Sequence, residues 1–175
     1  MVSHKKIALD FIIDKLTDSI VNTTTGDSFQ TEVKRLVKGD LKQIKRNENW
    51  NFNWQEELNS TLSEVYKLVI SSSPDVIQGL VSFSVRKDHV YMNLVESAPF
   101  NLGRAKMYEG VPGNLVAYCC RVSFERGFDG FLSFTSKTKL IEHYENSLGA
   151  YHFGNRLMII NSESARKLVD KYFKS

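Results

Sequence analysis

A chain of 175 residues has room for about one domain. Hydrophobic residues make up 42% and charged residues 25%, a balance that excludes a mainly disordered protein. The net charge of +3 is too small to argue for nucleic acid on its own, and the apolar runs fall short of the ~18 residues of a membrane span.

His4, Lys5, Lys6 and Asp10 interrupt the run that a secretory leader would need, so no leader and no membrane association are expected. Ile7, Leu9, Phe11, Ile12, Ile13, Leu16 and Ile20 then predict a helix over 7–20, and Thr25-Gly26-Asp27 a turn. Residues 28–37 read as a strand, and Lys38-Gly39-Asp40 opens a helix with Asp40 as its N-cap. Lys34, Arg35, Lys38, Lys42, Lys45 and Arg46 face only Glu32 and Asp40. This basic run is read as a solvated helix face. Nucleic acid is not the expected partner, because no aromatics are interleaved for base stacking. The segment 50–54, WNFNW, is expected to pack onto a sheet.

Strands follow over 64–70, 76–86 and 89–96, the last two joined by Lys87-Asp88 as an antiparallel hairpin that Pro99 ends. The turn Gly110-Val111-Pro112-Gly113 leads into a helix over 114–126 with Leu115, Val116, Cys119, Cys120, Val122 and Phe124 on a broad buried stripe and Gly127 as its stop. Adjacent Cys119 and Cys120 are expected in the core as free thiols, which fits a reducing cytoplasm. A strand over 130–135, a helix with Leu140, Ile141, Tyr144 and Leu148 ending at Gly149, a strand over 156–160 and a closing helix with Ala165, Leu168, Val169, Tyr172 and Phe173 complete the chain. The sum is one α+β domain with a mixed, mostly antiparallel central sheet flanked by helices. It divides into 1–27 as N-terminal helix and turn, 28–100 as strand, helix and meander, and 101–175 as glycine turn, helices and last strands.

The unit with chemical meaning is strand, loop, Gly110-Val111-Pro112-Gly113-Asn114, helix. A glycine turn at a helix start presents N–H groups where the helix dipole is positive, a seat for a pyrophosphate. No Gly-Lys-Ser/Thr follows, and the G-x-G-x-x-G spacing is absent. His4, His89, His143 and His152 have no metal-ligand spacing among themselves or with the cysteines, so no metal is expected.

In order, these elements resemble the GNAT family of acyl-CoA-dependent N-acyltransferases. The family's first strand and helix look like Val33-Lys34-Arg35-Leu36-Val37-Lys38-Gly39-Asp40-Leu41, and its Q/R-x-x-G-x-G/A signature looks like Met107-Tyr108-Glu109-Gly110-Val111-Pro112. Glu125-Arg126-Gly127-Phe128 and His143-Tyr144 through Leu148-Gly149-Ala150 are similar too. Met107 stands in place of Gln or Arg, Pro112 in place of Gly or Ala and without an N–H, and Tyr144 to Gly149 is one residue longer than the commonest form.

The resemblance implies transfer of an acetyl group from acetyl-CoA to a primary amine of a small molecule or peptide, by direct attack in a ternary complex, in a monomer or homodimer. It implies that Leu94, Val95 and Glu96 hold the acyl carbonyl and the pantetheine arm. Glu96 is the candidate general base, against a plain solvent-facing carboxylate. Tyr144 is the candidate acid for the departing thiolate, against a core role, with His143 as the alternative acid or base. Met107, Gly110, Val111, Gly113, Asn114 and Leu115 form the phosphate turn, Arg104 and Lys106 meet the phosphates, and Lys137 touches pantetheine or phosphate. The N-terminal helix, 50–54 and 98–104 would contact the acceptor. The alternative is a CoA-binding or interaction module without catalysis.

Overall fold

The computed structural model describes residues 7–16, 19–44 and 49–173, and its strands form two sheets. The small sheet joins Ile20–Asn22 (β1), Ser28–Phe29 (β2) and Tyr108–Glu109 (β7) in the order β2-β1-β7, all antiparallel. Asn22 turns the chain between β1 and β2, its Oδ1 accepting from the N–H groups of Thr24 and Thr25 at 2.9 and 3.0 Å. The strand expected over 28–37 is therefore split. Thr31–Arg35 (β3) belongs to the large sheet, with Glu64–Ile70 (β4), Ser73–Val85 (β5), Val90–Ser97 (β6), Leu132–Thr135 (β8), Tyr151–His152 (β9) and Leu157–Ile160 (β10).

The order is β3-β4-β5-β6-β8-β10-β9. Every neighbouring pair is antiparallel except β6 and β8. The β4–β5–β6 meander is the core, with Leu68, Leu80, Phe83, Met92 and Leu94 at 1% exposure or less.

Among the described residues, four α-helices accompany the sheets: Trp54–Asn59 (α1), Val111–Glu125 (α2), Ile141–Leu148 (α3) and Ser162–Tyr172 (α4). Val111 and Leu115 of α2 lie over Gly79 of β5, and this fixes which face of the sheet α2 covers. The amphipathic α4 buries Ala165, Leu168 and Tyr172 and packs against α2. Asn161 caps it, Oδ1 accepting from Ser164 N–H at 3.0 Å.

Three further expectations are corrected. No helix forms over 7–16. There Leu9 and Ile13 are buried and Phe11 half-buried, while Asp10 and Ile12 are exposed, an alternation of period two. Residues 17 and 18 of that expected helix lie outside the described residues. Asp40 is not an N-cap; it sits inside a 3-10 turn, Lys38–Lys42, and its Oδ2 reaches back to accept from Val37 N–H at 2.9 Å. The basic run is not one helix face either. Lys34 and Arg35 lie on β3, paired with Glu32 and Glu64, and Lys45 and Arg46 are outside the described residues. Among the described residues, no helix is long and apolar enough to cross a membrane.

Candidate functional site

The parallel junction between β6 and β8 opens into a gap. β6 and β8 pair only at Val90 with Leu132 and Tyr91 with Ser133. Beyond that point β6 continues beside β5 while β8 continues beside β10. Ala98 N–H donates to Gln78 O at 2.9 Å, so Leu94 and Glu96, which pair with Ser82 and Leu80, turn their peptide groups toward β5. Val95 and Ser97 then turn theirs toward the gap, by the alternation of an antiparallel ladder. Of the three expected β6 residues, only Val95 offers its backbone there. Ser97 is a position that sequence reasoning missed, because register is invisible without the partner strand.

At the mouth of the gap stands the start of α2. Gly110 is its N-cap at φ 94°, a left-handed conformation that glycine adopts without strain. Its N–H donates to Asp14 Oδ1 at 3.2 Å, and Lys106 Nζ holds the other oxygen of that carboxylate at 3.1 Å. Pro112 supplies no donor. Gly113 has a different partner from the expected one. A Cβ there would lie 2.1 Å from the Tyr172 hydroxyl and 3.2 Å from Leu16 Cδ2, so the close approach that needs glycine is made by α4 and by residue 16.

The other expected binding residues divide. Val111, Asn114 and Leu115 are buried, the first and last against Gly79, so their side chains face the interior. Asn114 donates to Gly110 O and accepts from Thr31 Oγ1, both at 3.4 Å. Arg104 is exposed, and Met107, 49% exposed, is fixed through its backbone to Phe100 O and Thr23 N.

Glu96 is not a solvent-facing carboxylate. Gly79 pairs with Ser97, so the Glu96 side chain lies on the face away from α2. It is 6% exposed there, with Oε1 accepting from Trp54 Nε1 at 2.8 Å and Phe52 N at 3.4 Å, and Oε2 from Asn51 N at 2.7 Å. This is how the WNFNW segment packs onto the sheet.

Tyr144 and His143 of α3 meet residues 9–15 instead of Glu96. Tyr144 is fully buried, forms ring contacts with Phe11 and Phe134 at 4.7 and 5.1 Å, and donates its hydroxyl to Phe11 O at 2.6 Å. Burial, helped by the charge of Asp10, pushes the phenol well above its usual range, so it keeps its proton. His143 Nε2 accepts from Ile13 N–H at 3.0 Å, and partial burial lowers its affinity for a proton. Lys137 Nζ pairs with Asp10 Oδ2 at 2.7 Å.

Residues 9–15 therefore lie within the gap itself. Along β8, Phe131 O accepts from Val90 N of β6, while Ser136 N donates to Arg156 O on the β10 side. Thr135 accordingly turns toward the β6 side. Its carbonyl accepts from Leu9 N–H at 2.7 Å, and Lys137 N–H donates to Leu9 O at 3.0 Å. Leu9 takes the edge that β6 has left.

A groove of about 850 Å³, lined by His89, Phe131, Tyr151 and Phe153 among others, lies at the opposite end of β8. Among the described residues, no three His, Cys, Asp or Glu side chains gather as a metal site needs.

No protein-family model matches the chain, and no curated protein sequence does. Solved structures do. Mutant forms of the spermidine/spermine N-acetyltransferase SpeG from Vibrio cholerae match at TM-score 0.54 and 16% identity, over 79% of this chain and 97% of theirs. The Vibrio cholerae spermidine N-acetyltransferase in complex with CoA and spermine matches at 0.54 and 16%, over 78% and 98%. The KacTA–DNA complex matches at 0.51 and 11%, over 79% and 98%. With a parallel junction opening beside a glycine turn at a helix start, and with these neighbours, the chain has the GNAT fold.

Proposed function

We propose that this chain is an N-acetyltransferase that moves an acetyl group from acetyl-CoA to a primary amine. The observation that carries the reading is the β6–β8 gap ending at the Gly110 turn. The fit to acyl-CoA is supported by Asp14, whose carboxylate is seated on the Gly110 N–H and Lys106, as an anion at a helix start would be.

Bound acyl-CoA supplies an activated thioester. The residues that would hold it are Gly110 and Lys106 at the phosphate end and the peptide groups of Val95 and Ser97 along the arm. An N–H of Val95 or Ser97 donates to the acyl oxygen as negative charge develops on it. The amine arrives as an ammonium and gives up its proton before attack. Glu96 is the acidic group on β6, and it takes that proton through water from the face opposite α2. Tyr144, held in its protonated form, gives its hydroxyl proton to the leaving sulfur as the C–S bond breaks and regains one from solvent after product leaves, with His143 beside it as the alternative donor. Transfer is direct, within a ternary complex, in a monomer or homodimer.

Because one similar structure is an acetyltransferase in complex with CoA and spermine, spermine and spermidine are the first acceptors to assay. Binding is tested by thermal melting with acetyl-CoA and CoA, against an adenine nucleotide. Ligand at ~100 times its dissociation constant adds about 2.7 kcal/mol, a rise of about 5–10 °C in a domain of this size. Tyr144→Phe should lower kcat by about 10²-fold. Wild-type turnover with unchanged kcat in Tyr144→Phe removes Tyr144 from the chemistry. A second reading is favoured by the engaged Tyr144 hydroxyl and by Pro112: a CoA-binding or interaction module that melts higher with acetyl-CoA but turns over no amine.

A further inference from the structure

We propose that residues 7–16 form a built-in strap that competes with acyl-CoA for the gap between β6 and β8, so that acyl-CoA enters as the strap leaves. The inference rests on the acyl-CoA reading above, and it is carried by where the strap makes its contacts.

Five groups expected to serve the ligand are each held by a residue of the strap. Lys137 is held by Asp10, Tyr144 by the Phe11 carbonyl, His143 by the Ile13 N–H, and both Gly110 N–H and Lys106 by the Asp14 carboxylate. These groups come from three separate walls: the end of β8, α3 and the start of α2. A segment that merely filled a hydrophobic gap would need none of them. The chemical sequence along the strap also matches the ligand's. Main-chain amide groups of Leu9 lie on the β8 edge, across the gap from the Val95 and Ser97 peptide groups that would line an amide-containing pantetheine arm, and a carboxylate lies where a diphosphate would end. Leu16 and the Lys15 carbonyl close the site at Gly113 and Tyr172.

The strap is held less firmly than the core it covers. Only alternate residues are buried, while Ile7 is 39% and Ile12 52% exposed. Its displacement uncovers Leu9, Phe11 and Ile13, a cost that the ligand's own contacts must offset, and frees the Tyr144 hydroxyl. The apparent affinity for acyl-CoA is then the intrinsic affinity scaled by the fraction of molecules with the strap open.

Hydrogen exchange read by mass spectrometry on the full chain, with and without acetyl-CoA, tests this. The ligand should slow exchange over 107–116 and speed it over 7–16, each by about tenfold or more. Asp14→Ala, which removes the charge-assisted contacts to Gly110 N–H and Lys106 from the closed form, should bind acetyl-CoA about tenfold more tightly or better. Slower exchange in both segments, or an Asp14→Ala affinity equal to wild type, overturns the strap while leaving the acyl-CoA site standing. Absence of any slowing over 107–116 in both proteins removes the acyl-CoA site and the strap's role with it. Should Asp14→Ala fail to fold, the wild-type exchange pattern alone decides.

Discussion

Replacing Glu96 with glutamine separates a structural carboxylate from a chemical one. Three N–H groups converge on this side chain, from Asn51, Phe52 and the Trp54 indole. Glutamine keeps the shape but has one oxygen, so its amide nitrogen must face either the Asn51 N–H or the Trp54 Nε1–H, donor against donor. At 6% exposure, water makes up for the lost bond only poorly. Losing a charge-assisted bond costs about 1.5–3 kcal/mol, and the stranded donor overlaps with that loss. We expect Glu96→Gln to be less stable by about 2–3 kcal/mol, or about 5–10 °C in Tm. Urea unfolding followed by tryptophan fluorescence reads this directly, since Trp50 and Trp54 are the two tryptophans of the chain and belong to the held segment. The midpoint should fall without a change in the denaturant slope. Trp54→Phe should cost at least about 1.5–3 kcal/mol, through its lost charge-assisted bond and the cavity left by the smaller ring, and the double variant should be less destabilised than the sum. A Glu96→Gln protein within about 0.5 kcal/mol of wild type would refute the clamp. Reduced turnover in that stable protein would assign Glu96 to proton removal alone.

Three further outcomes are expected. Burial raises both cysteine thiols well above their usual range, so the native protein should not react with a thiol reagent and the denatured protein should titrate two. Glu64 accepts from Arg126 at 2.8 and 2.9 Å, and this pairing holds its pKa below the ordinary 4.5. Its contribution is present above pH 4.5 and lost as pH falls through the depressed value, so Glu64→Gln should cost about 1 kcal/mol at pH 7 and less in acid, by calorimetry. Burial holds His143 below 6.5, so the unfolded chain takes up a proton first and stability should fall as pH drops below 6.5. Because protonation also removes the acceptor for the Ile13 N–H, amide exchange at Ile13 should quicken over that range, and His143→Gln should flatten the response.

How much of this could be read from the sequence depended on the range of the interaction. The bounds of β4 agree with the expectation over 64–70, and the glycine stops at Gly127 and Gly149 stand, because period and turn chemistry are local. Residues 7–20 misled for the same reason. Seven apolar side chains satisfied a helical stripe, yet Leu9, Phe11 and Ile13 also satisfy an alternation, and partners more than a hundred residues away choose between the two. Asp40 looked like a cap because Asp is a residue type that caps helices, yet it stands three residues inside the turn, where its carboxylate reaches back to Val37 N–H. The WNFNW packing was legible as aromatic burial, whereas its carboxylate partner, 42 residues from Trp54, was not. Glycine at 113 was visible and its reason, the Tyr172 hydroxyl, was not.

The span of the N-terminal contacts bears on the order of folding. Ile13 meets His143 across 130 residues, and Lys15 meets Tyr172 across 157. The β4–β5–β6 meander closes through short hairpins. Bringing ends together over ~130 residues costs about 2 kcal/mol more in chain entropy than over ~10, so such contacts form late, on a surface that the hairpins and α2 have already built. What forms last on a finished surface also detaches first. Residues 7–16 are thus expected to be a separate cooperative unit that opens well below the free energy of global unfolding and leaves the meander intact.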